Sequence, residues 1–115
     1  MNESPIFTRT HDLLLWLIQA TRKFPRDQRF GLALRINDAA FTLQEKLTLA
    51  AVDTAHTGRH LVAADVALNL LRKRLLLSYE MGFLGAAQYR HVSALTHEVG
   101  NLLGGWRRSG GAPIS

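Results

Sequence analysis

Cysteine is absent from the 115 residues. That absence removes disulfides, thiolate metal sites and a cysteine nucleophile together, and it leaves no reason to place the chain in an oxidising compartment. No long hydrophobic run is present either. The longest, Leu13 to Ile18 (LLLWLI), is far short of the roughly 20 residues that cross a bilayer, so it belongs to a buried helix and no membrane partner is expected. Met1-Asn2-Glu3-Ser4-Pro5 lacks the basic region, apolar stretch and small-residue cleavage site of a signal peptide, and a cytoplasmic protein is the expectation. Strand-like alternation is scarce, because apolar residues recur at spacings of three and four. Acids are outnumbered, with 9 Asp+Glu against 14 Lys+Arg and a net charge of +5. That balance favours polyanions as partners.

What is present is enough for one folded domain. Apolar residues make up 47% and charged residues 20% of the chain, far from the composition of disorder. The pattern predicts an all-α, antiparallel up-down-up-down four-helix bundle over residues 1–108, followed by a flexible tail at 109–115. The first helix opens at Thr8 or Thr10 and runs to about Phe24, closed by Pro25. The second runs from about Arg26 to His56, with Gly58 marking its end. In the third, Leu61, Ala64, Leu68, Leu71, Leu75 and Ser78 alternate steps of three and four, and Gly82 stops it. The fourth starts near Gly85 and repeats the pattern at Val92, Leu95, Val99, Leu102 and Trp106. LLLWLI is apolar all round its helix, and Leu70, Leu76 and Leu77 lie outside the third seam. So much apolar surface predicts a homo-oligomer.

Catalytic and metal sites find little support. The histidines are His11, His56, His60, His91 and His97. His56 and His60 are four apart, but Gly58 intervenes at a predicted helix end, so they read as solvent-facing loop residues and not as a metal pair. His91 and His97 fall on different helical faces. Asp38, Glu45, Asp53 and Asp65 lack the Glu-x-x-His pairs that a di-metal cage in a bundle uses. Gly104-Gly105 and Gly110-Gly111 neither follow a strand nor precede a lysine, as a phosphate loop requires. No catalytic residue, metal ligand or cofactor is assigned, and the expectation is a protein that binds and does not catalyse.

The basic residues cluster. Arg22, Lys23, Arg26 and Arg29 surround the first turn; Arg72, Lys73 and Arg74 form a run on the third helix; Arg90 lies in the fourth, which Arg107 and Arg108 end. Arginine's planar donor fork fits phosphate oxygens. Arg22, Lys23, Arg26, Arg29, Arg72, Lys73, Arg74 and Arg90 are therefore the candidate nucleic-acid contacts. Each cluster also reads as a solvated helix face, and Arg107 and Arg108 also suit the negative end of a helix dipole. Arg29 and Arg35 would equally make intersubunit ion pairs with Asp27, Asp38 or Glu45.

Phe24-Pro25-Arg26-Asp27-Gln28-Arg29-Phe30, followed by Leu32, Leu34, Arg35 and Asp38-Ala39-Ala40, resembles the helix-two signature of the accessory variability determinant proteins of diversity-generating retroelements. Three further stretches are similar to the same family. They are Phe7-Thr8 leading to Asp12-Leu13-Leu14-Leu15-Trp16-Leu17; Gln88-Tyr89 with His91-Val92-Ser93; and Gly100 with Leu102-Leu103-Gly104-Gly105-Trp106. The resemblance implies a four-helix bundle assembled into a pentameric barrel with a central channel and a basic surface. It also implies partnership with the element's reverse transcriptase and with RNA and/or DNA, in support of copying a template repeat into a variable gene region. The bundle proteins encoded within intervening sequences of ribosomal RNA genes share a similar FP and RxAA pattern. They offer the alternative of an oligomeric protein-only scaffold. Asp38-Ala39-Ala40 and LLGGW lean toward the retroelement family.

Overall fold

The structure, a computed structural model of the chain, describes residues 4–111 and Pro113. Four helices follow one another: α1 (Pro5–Thr21), α2 (Leu32–Val52), α3 (Thr57–Glu80) and α4 (Ala86–Ser109). No strand interrupts them among the described residues. Helices of this length are about 26–36 Å long, and the molecule measures 42 × 24 × 24 Å, the proportions of one bundle. Each helix packs on its chain neighbours, and α1 closes against α4. Arg9 and then Trp16 of α1 meet Glu98 and then His91 of α4, Asp65 and then Arg72 of α3 meet Arg107 and then Thr96 of α4, and Thr57 and then Arg74 of α3 meet Ala50 and then Arg35 of α2, the opposed orders of an up-and-down bundle.

The third helix follows its predicted seam closely. Leu61, Ala64, Leu68, Leu71, Leu75 and Ser78 are all buried. In α4, Val92, Val99 and Trp106 are buried as expected, but Thr96 and Leu103 take the inner places predicted for Leu95 and Leu102. A straight helix turns 3.6 residues per turn and drifts from a strict seven-residue repeat. Small residues mark the pairing of α2 with α3: Ala39 from one and Ala63 and Ala67 from the other line one shared groove, Ala39 and Ala67 being buried. Their short side chains let the two backbones approach closely.

The helix boundaries correct the sequence reading in three places. The first helix begins at Pro5, not at Thr8 or Thr10, because a proline at the first helical position gives up an N–H that would have no partner anyway. It ends at Thr21. The second helix does not run from Arg26 to His56: Arg26–Gln28 forms a single 3₁₀ turn, α2 proper starts at Leu32 after Gly31, and it stops at Val52. Gly58 ends nothing; it lies in the first turn of α3. The break falls at Asp53, whose backbone leaves the helical region (φ −92°, ψ 75°).

Gly82 does stop α3. It takes φ +82°, and the Gly82 and Phe83 amides donate to the carbonyls of Tyr79 and Ser78 at 3.0 and 2.9 Å, the paired bonds of a glycine-closed helix end. Gly85 then caps α4, its amide bonded to Gln88 Oε1 at 2.9 Å. At the far end, α4 runs through Ser109, one residue beyond the expected domain boundary, and Gly110 closes it at φ +69°. Trp106, only 1% exposed, packs edge-on against Phe7 at 6.0 Å and donates its indole N–H to the Gly111 carbonyl at 2.6 Å. Of the predicted tail, Ala112, Ile114 and Ser115 lie outside the described residues.

LLLWLI divides between inside and outside. Leu13, Leu14 and Leu17 are buried, while Leu15 (52% exposed) and Ile18 face outward. Leu70, Leu76 and Leu77 on α3 are also exposed, as are Phe30 and Phe41. A single copy of the chain leaves this apolar surface uncovered.

Candidate nucleic-acid interface

The turn from α1 to α2 is built by residues that alternate between structural and outward roles. Thr21 ends α1 by donating its hydroxyl to the Leu17 carbonyl at 2.7 Å. The Lys23 and Phe24 amides then tighten the last turn onto Ala20 and Thr21. Phe24 is buried (8% exposed) and packs on Phe83 at 5.6 Å, which ties this turn to the α3–α4 turn. Pro25 starts the 3₁₀ turn, and Gln28 closes it: its amide donates to the Pro25 carbonyl at 2.8 Å, and its Oε1 accepts from the Leu32 amide at 3.2 Å. A Cβ at Gly31 would come within 3.2 Å of that Oε1, so glycine leaves room for the cap. Phe24, Pro25, Gln28 and Gly31 therefore hold the loop. Arg26, Arg29 and Phe30 are left on the outside, with Arg29 lying 5.4 Å from the Phe30 ring centroid. Residues three apart on a 3₁₀ turn eclipse one another, so Arg26 and Arg29 share one face.

The eight candidate contacts fall in one half of the bundle, the half holding the α1–α2 and α3–α4 turns. They divide into three settings. Arg22, Arg26 and Arg29 line a cleft of about 490 Å³ between α1 and α2. Lys23, the next residue along, lines a different cleft of about 450 Å³ between α1 and α4, where Trp16 and His91 pair at 5.7 Å. The run Arg72-Lys73-Arg74 is split by its helix, because successive residues point about 100° apart. Arg72 turns onto α4 and donates to the Thr96 carbonyl at 3.1 Å, beside Gly100, where any Cβ would collide with its guanidinium. Arg74 turns onto α2 and donates to the Arg35 carbonyl at 2.9 Å. Lys73 between them is exposed, as is Arg90 on the first turns of α4.

Among the described residues the ion pairs made by arginine are confined to one half, although Lys46, Arg59 and Arg108 in that half are unpaired as well. Arg9 is paired with Glu98 at 2.6 Å and with Asp12 at 3.4 Å, and Arg107 with Asp65 at 3.1 Å, all toward the half that holds the α2–α3 turn. Among the described residues, Arg22, Lys23, Arg26, Arg29, Lys73 and Arg90 make no ion pair. Neither Arg29 nor Arg35 pairs within the chain with Asp27, Asp38 or Glu45.

The sequence reading missed a carboxylate that joins two histidines. His56 and His60 are not independent loop residues: His56 Nδ1 and His60 Nε2 lie 3.0 and 2.9 Å from the same Asp53 oxygen. His60 is in α3 and its side chain is only 15% exposed. An ionised carboxylate only accepts, so these two nitrogens carry the donated protons. The signal was available, since Asp53 stands three and seven residues before them, but Gly58 drew the helix end to the wrong place. No group of three or more His, Cys, Asp or Glu able to hold a metal occurs among the described residues. Asp38 and Glu45 are exposed on the surface and Asp65 pairs there with Arg107.

Hydrogen bonds from His60, then His56, hold the Asp53 carboxyl below the ordinary carboxylate range. Because folding lowers this pKa, the associated stability is fully present above the unfolded value near 3.8 and is lost as pH falls through the folded value. Asp53→Asn is therefore expected to lower the melting temperature at neutral pH, with the two proteins converging in acid once the pH has fallen through the folded value. Thermal unfolding followed by circular dichroism at each pH checks this. A difference that persists unchanged in acid would show that charge on Asp53 contributes nothing.

Among the described residues, no helix is long and apolar enough to cross a membrane. No curated protein matches the chain. The bAvd-like family model matches residues 6–110, nearly everything from the start of α1 to the glycine that closes α4, and the chain belongs to the bAvd-like family.

Proposed function

We propose that the chain is a non-catalytic accessory subunit of a diversity-generating retroelement. In this reading a homo-oligomer binds the element's reverse transcriptase and nucleic acid, template RNA and/or DNA, through basic surfaces, and so supports mutagenic reverse transcription. The observation that carries it is the set of exposed cations without ion pairs around the α1–α2 turn and its neighbours, Arg22, Lys23, Arg26, Arg29, Lys73 and Arg90. Cations already neutralised by carboxylates gain little from a phosphate; unpaired ones gain by releasing counterions from the nucleic acid. Family membership supports the biological role. Leu15, Leu70, Leu76 and Leu77, uncovered in one copy, support the homo-oligomer, and the resemblance implies five subunits. The polymerase supplies all the chemistry.

The test is binding of the purified protein to a structured RNA and to duplex DNA of matched length across a salt series. Log affinity is expected to fall linearly with log salt, by about 0.7–0.9 per phosphate neutralised. Absence of binding at low salt would leave the same apolar faces as the working surface of a protein-only scaffold, with capture of the reverse transcriptase as the next measurement.

A further inference from the structure

Most exposed apolar residues of the helices gather on two neighbouring sides of the bundle. On the side formed by α1 and α2, Leu15 and Ile18 stand beside Leu34 and Phe41. Spacings of three and seven keep each pair on one face of its helix. On the side formed by α2 and α3, Val66 and Leu70 line a groove of about 520 Å³, and Leu77, also exposed, follows on the same face. Among the described residues, α4 exposes no large apolar side chain. The bundle is 24 Å across in both directions, so its section is nearly square and the two apolar sides stand roughly a right angle apart.

The two patches stand at the same height along the bundle. Arg74 of α3 donates to the Arg35 carbonyl of α2, and Thr57 to that of Ala50, so Val66, midway between them, is level with Thr42. Thr21 of α1 meets Asn37, and Thr10 and His11 share a cleft with Gln44 and Thr48, so Leu15 is level with Thr42 as well. A rotation about an axis parallel to the bundle, with no shift along it, therefore carries one patch onto the other. Head-to-tail contacts of that kind close into a ring, whereas a shift would make a filament. Charge follows the same rotation. Glu45 and Lys46 are consecutive, so they point about 100° apart: Glu45 lies one turn beyond Phe41 on its face, and Lys46 lines the α2–α3 groove. Among the described residues neither makes an ion pair within the chain. The rotation sets Glu45 of one copy against Lys46 of its neighbour. Pairing either side with itself would leave the other side uncovered.

We infer that the α1–α2 side of one copy seats on the α2–α3 side of the next, so that a second copy of this chain occupies the groove at Val66 and Leu70. Successive copies turn by roughly a right angle, and the ring closes after about four or five of them. In that ring α2 faces the axis, α4 faces outward, and every α1–α2 turn lies at the same end, with Arg26 and Arg29 at its rim. The inference rests on the proposed homo-oligomer and adds to it which surfaces meet and in which sense.

The chain has no cysteine, so introduced cysteines report the contact directly. Leu15→Cys and Val66→Cys are prepared separately, as a co-expressed pair and combined in one chain. Each sample is oxidised and its covalent products are separated under denaturing conditions, and native mass is measured by light scattering. The expected result is a covalent dimer from the co-expressed pair, none from either variant alone, and from the double variant a ladder that stops at the native copy number. Glu45→Lys is expected to weaken assembly about threefold, and Glu45→Lys with Lys46→Glu to restore it. Covalent dimers from Leu15→Cys alone or from Val66→Cys alone overturn the head-to-tail contact and assign that side to self-pairing. An oligomeric wild type whose co-expressed pair gives no cross-link also overturns it, while the proposed function stands with another surface joining the copies. If wild type is a monomer, the proposed homo-oligomer fails first and the contact with it. Should either variant not fold, Ile18→Cys and Leu70→Cys, the neighbouring positions on the same two faces, decide in its place.

Discussion

Replacing Arg22, Arg26 and Arg29 together by alanine is expected to reduce the affinity for RNA about a hundredfold at 0.1 M salt. Each lost phosphate contact removes about 0.7 from the slope of log affinity against log salt for single strands. Three contacts thus remove about two from the slope, and over the decade between 0.1 M and 1 M salt that is about two powers of ten. The substitution lies on exposed side chains whose loop is held by other residues, namely Phe24, Pro25, Gln28 and Gly31, so the melting temperature should change little. Arg9→Ala with Arg107→Ala is the matched control. Both arginines are already paired with carboxylates, and their loss is expected to leave the slope unaltered. A slope that is the same in the triple variant and in wild type would remove the α1–α2 turn from the nucleic-acid contact, whatever the rest of the surface does.

Trp106→Ala is expected to have the largest effect on folding, a loss of about 3–5 kcal/mol and a fall of roughly 10–25 °C in melting temperature. Domains of this kind are stable by only about 5–15 kcal/mol, so the variant would be close to unfolded at physiological temperature. The reason is the combination of burial, the edge-on contact with Phe7 and the bond to Gly111. Trp106→Phe separates these contributions. It keeps most of the buried ring and loses the indole N–H, at a cost of about 1 kcal/mol. Urea denaturation of the three proteins tests the split; equal stability for the alanine and phenylalanine variants would mean that the hydrogen bond, and not the ring, holds the end of α4.

The architecture was legible wherever one local rule acted alone. The third helix has an unbroken alternation of three and four, and every residue of that seam is inside. Gly82 was read correctly as a terminator because nothing but a positive φ is needed at that position. Where two rules competed, the sequence misled. Pro5 suits a first helical turn as well as Pro25 suits the end of a helix, and only the second was read. Gly58 looked like a terminator, yet a glycine in a first turn is tolerated, and the actual break comes from Asp53 and the two histidines it gathers from across it.

The candidate site was legible as composition and not as geometry. That Arg22, Arg26 and Arg29 cluster is plain from their spacing. That Arg72 is committed to a carbonyl 24 residues away, and Arg74 to one 39 residues back, depends on which helices lie alongside α3. The run Arg72-Lys73-Arg74 looked like one patch in the sequence and is three different environments in the fold.

The uneven placement of cations and carboxylates along the bundle has an electrical consequence for the molecule as a whole. In an up-and-down bundle the four helix macrodipoles oppose one another and largely cancel, so the permanent dipole moment is left to the side chains. Arg22, Lys23, Arg26, Arg29, Lys73 and Arg90 lie toward one extreme of a body 42 Å long and 24 Å across, and the neutralised pairs toward the other. Such a rod feels a torque in the field of any polyanion before it touches it. It would be turned end-on during approach, with the α1–α2 turn leading, and orientation would be settled by the long-range field before short-range recognition begins.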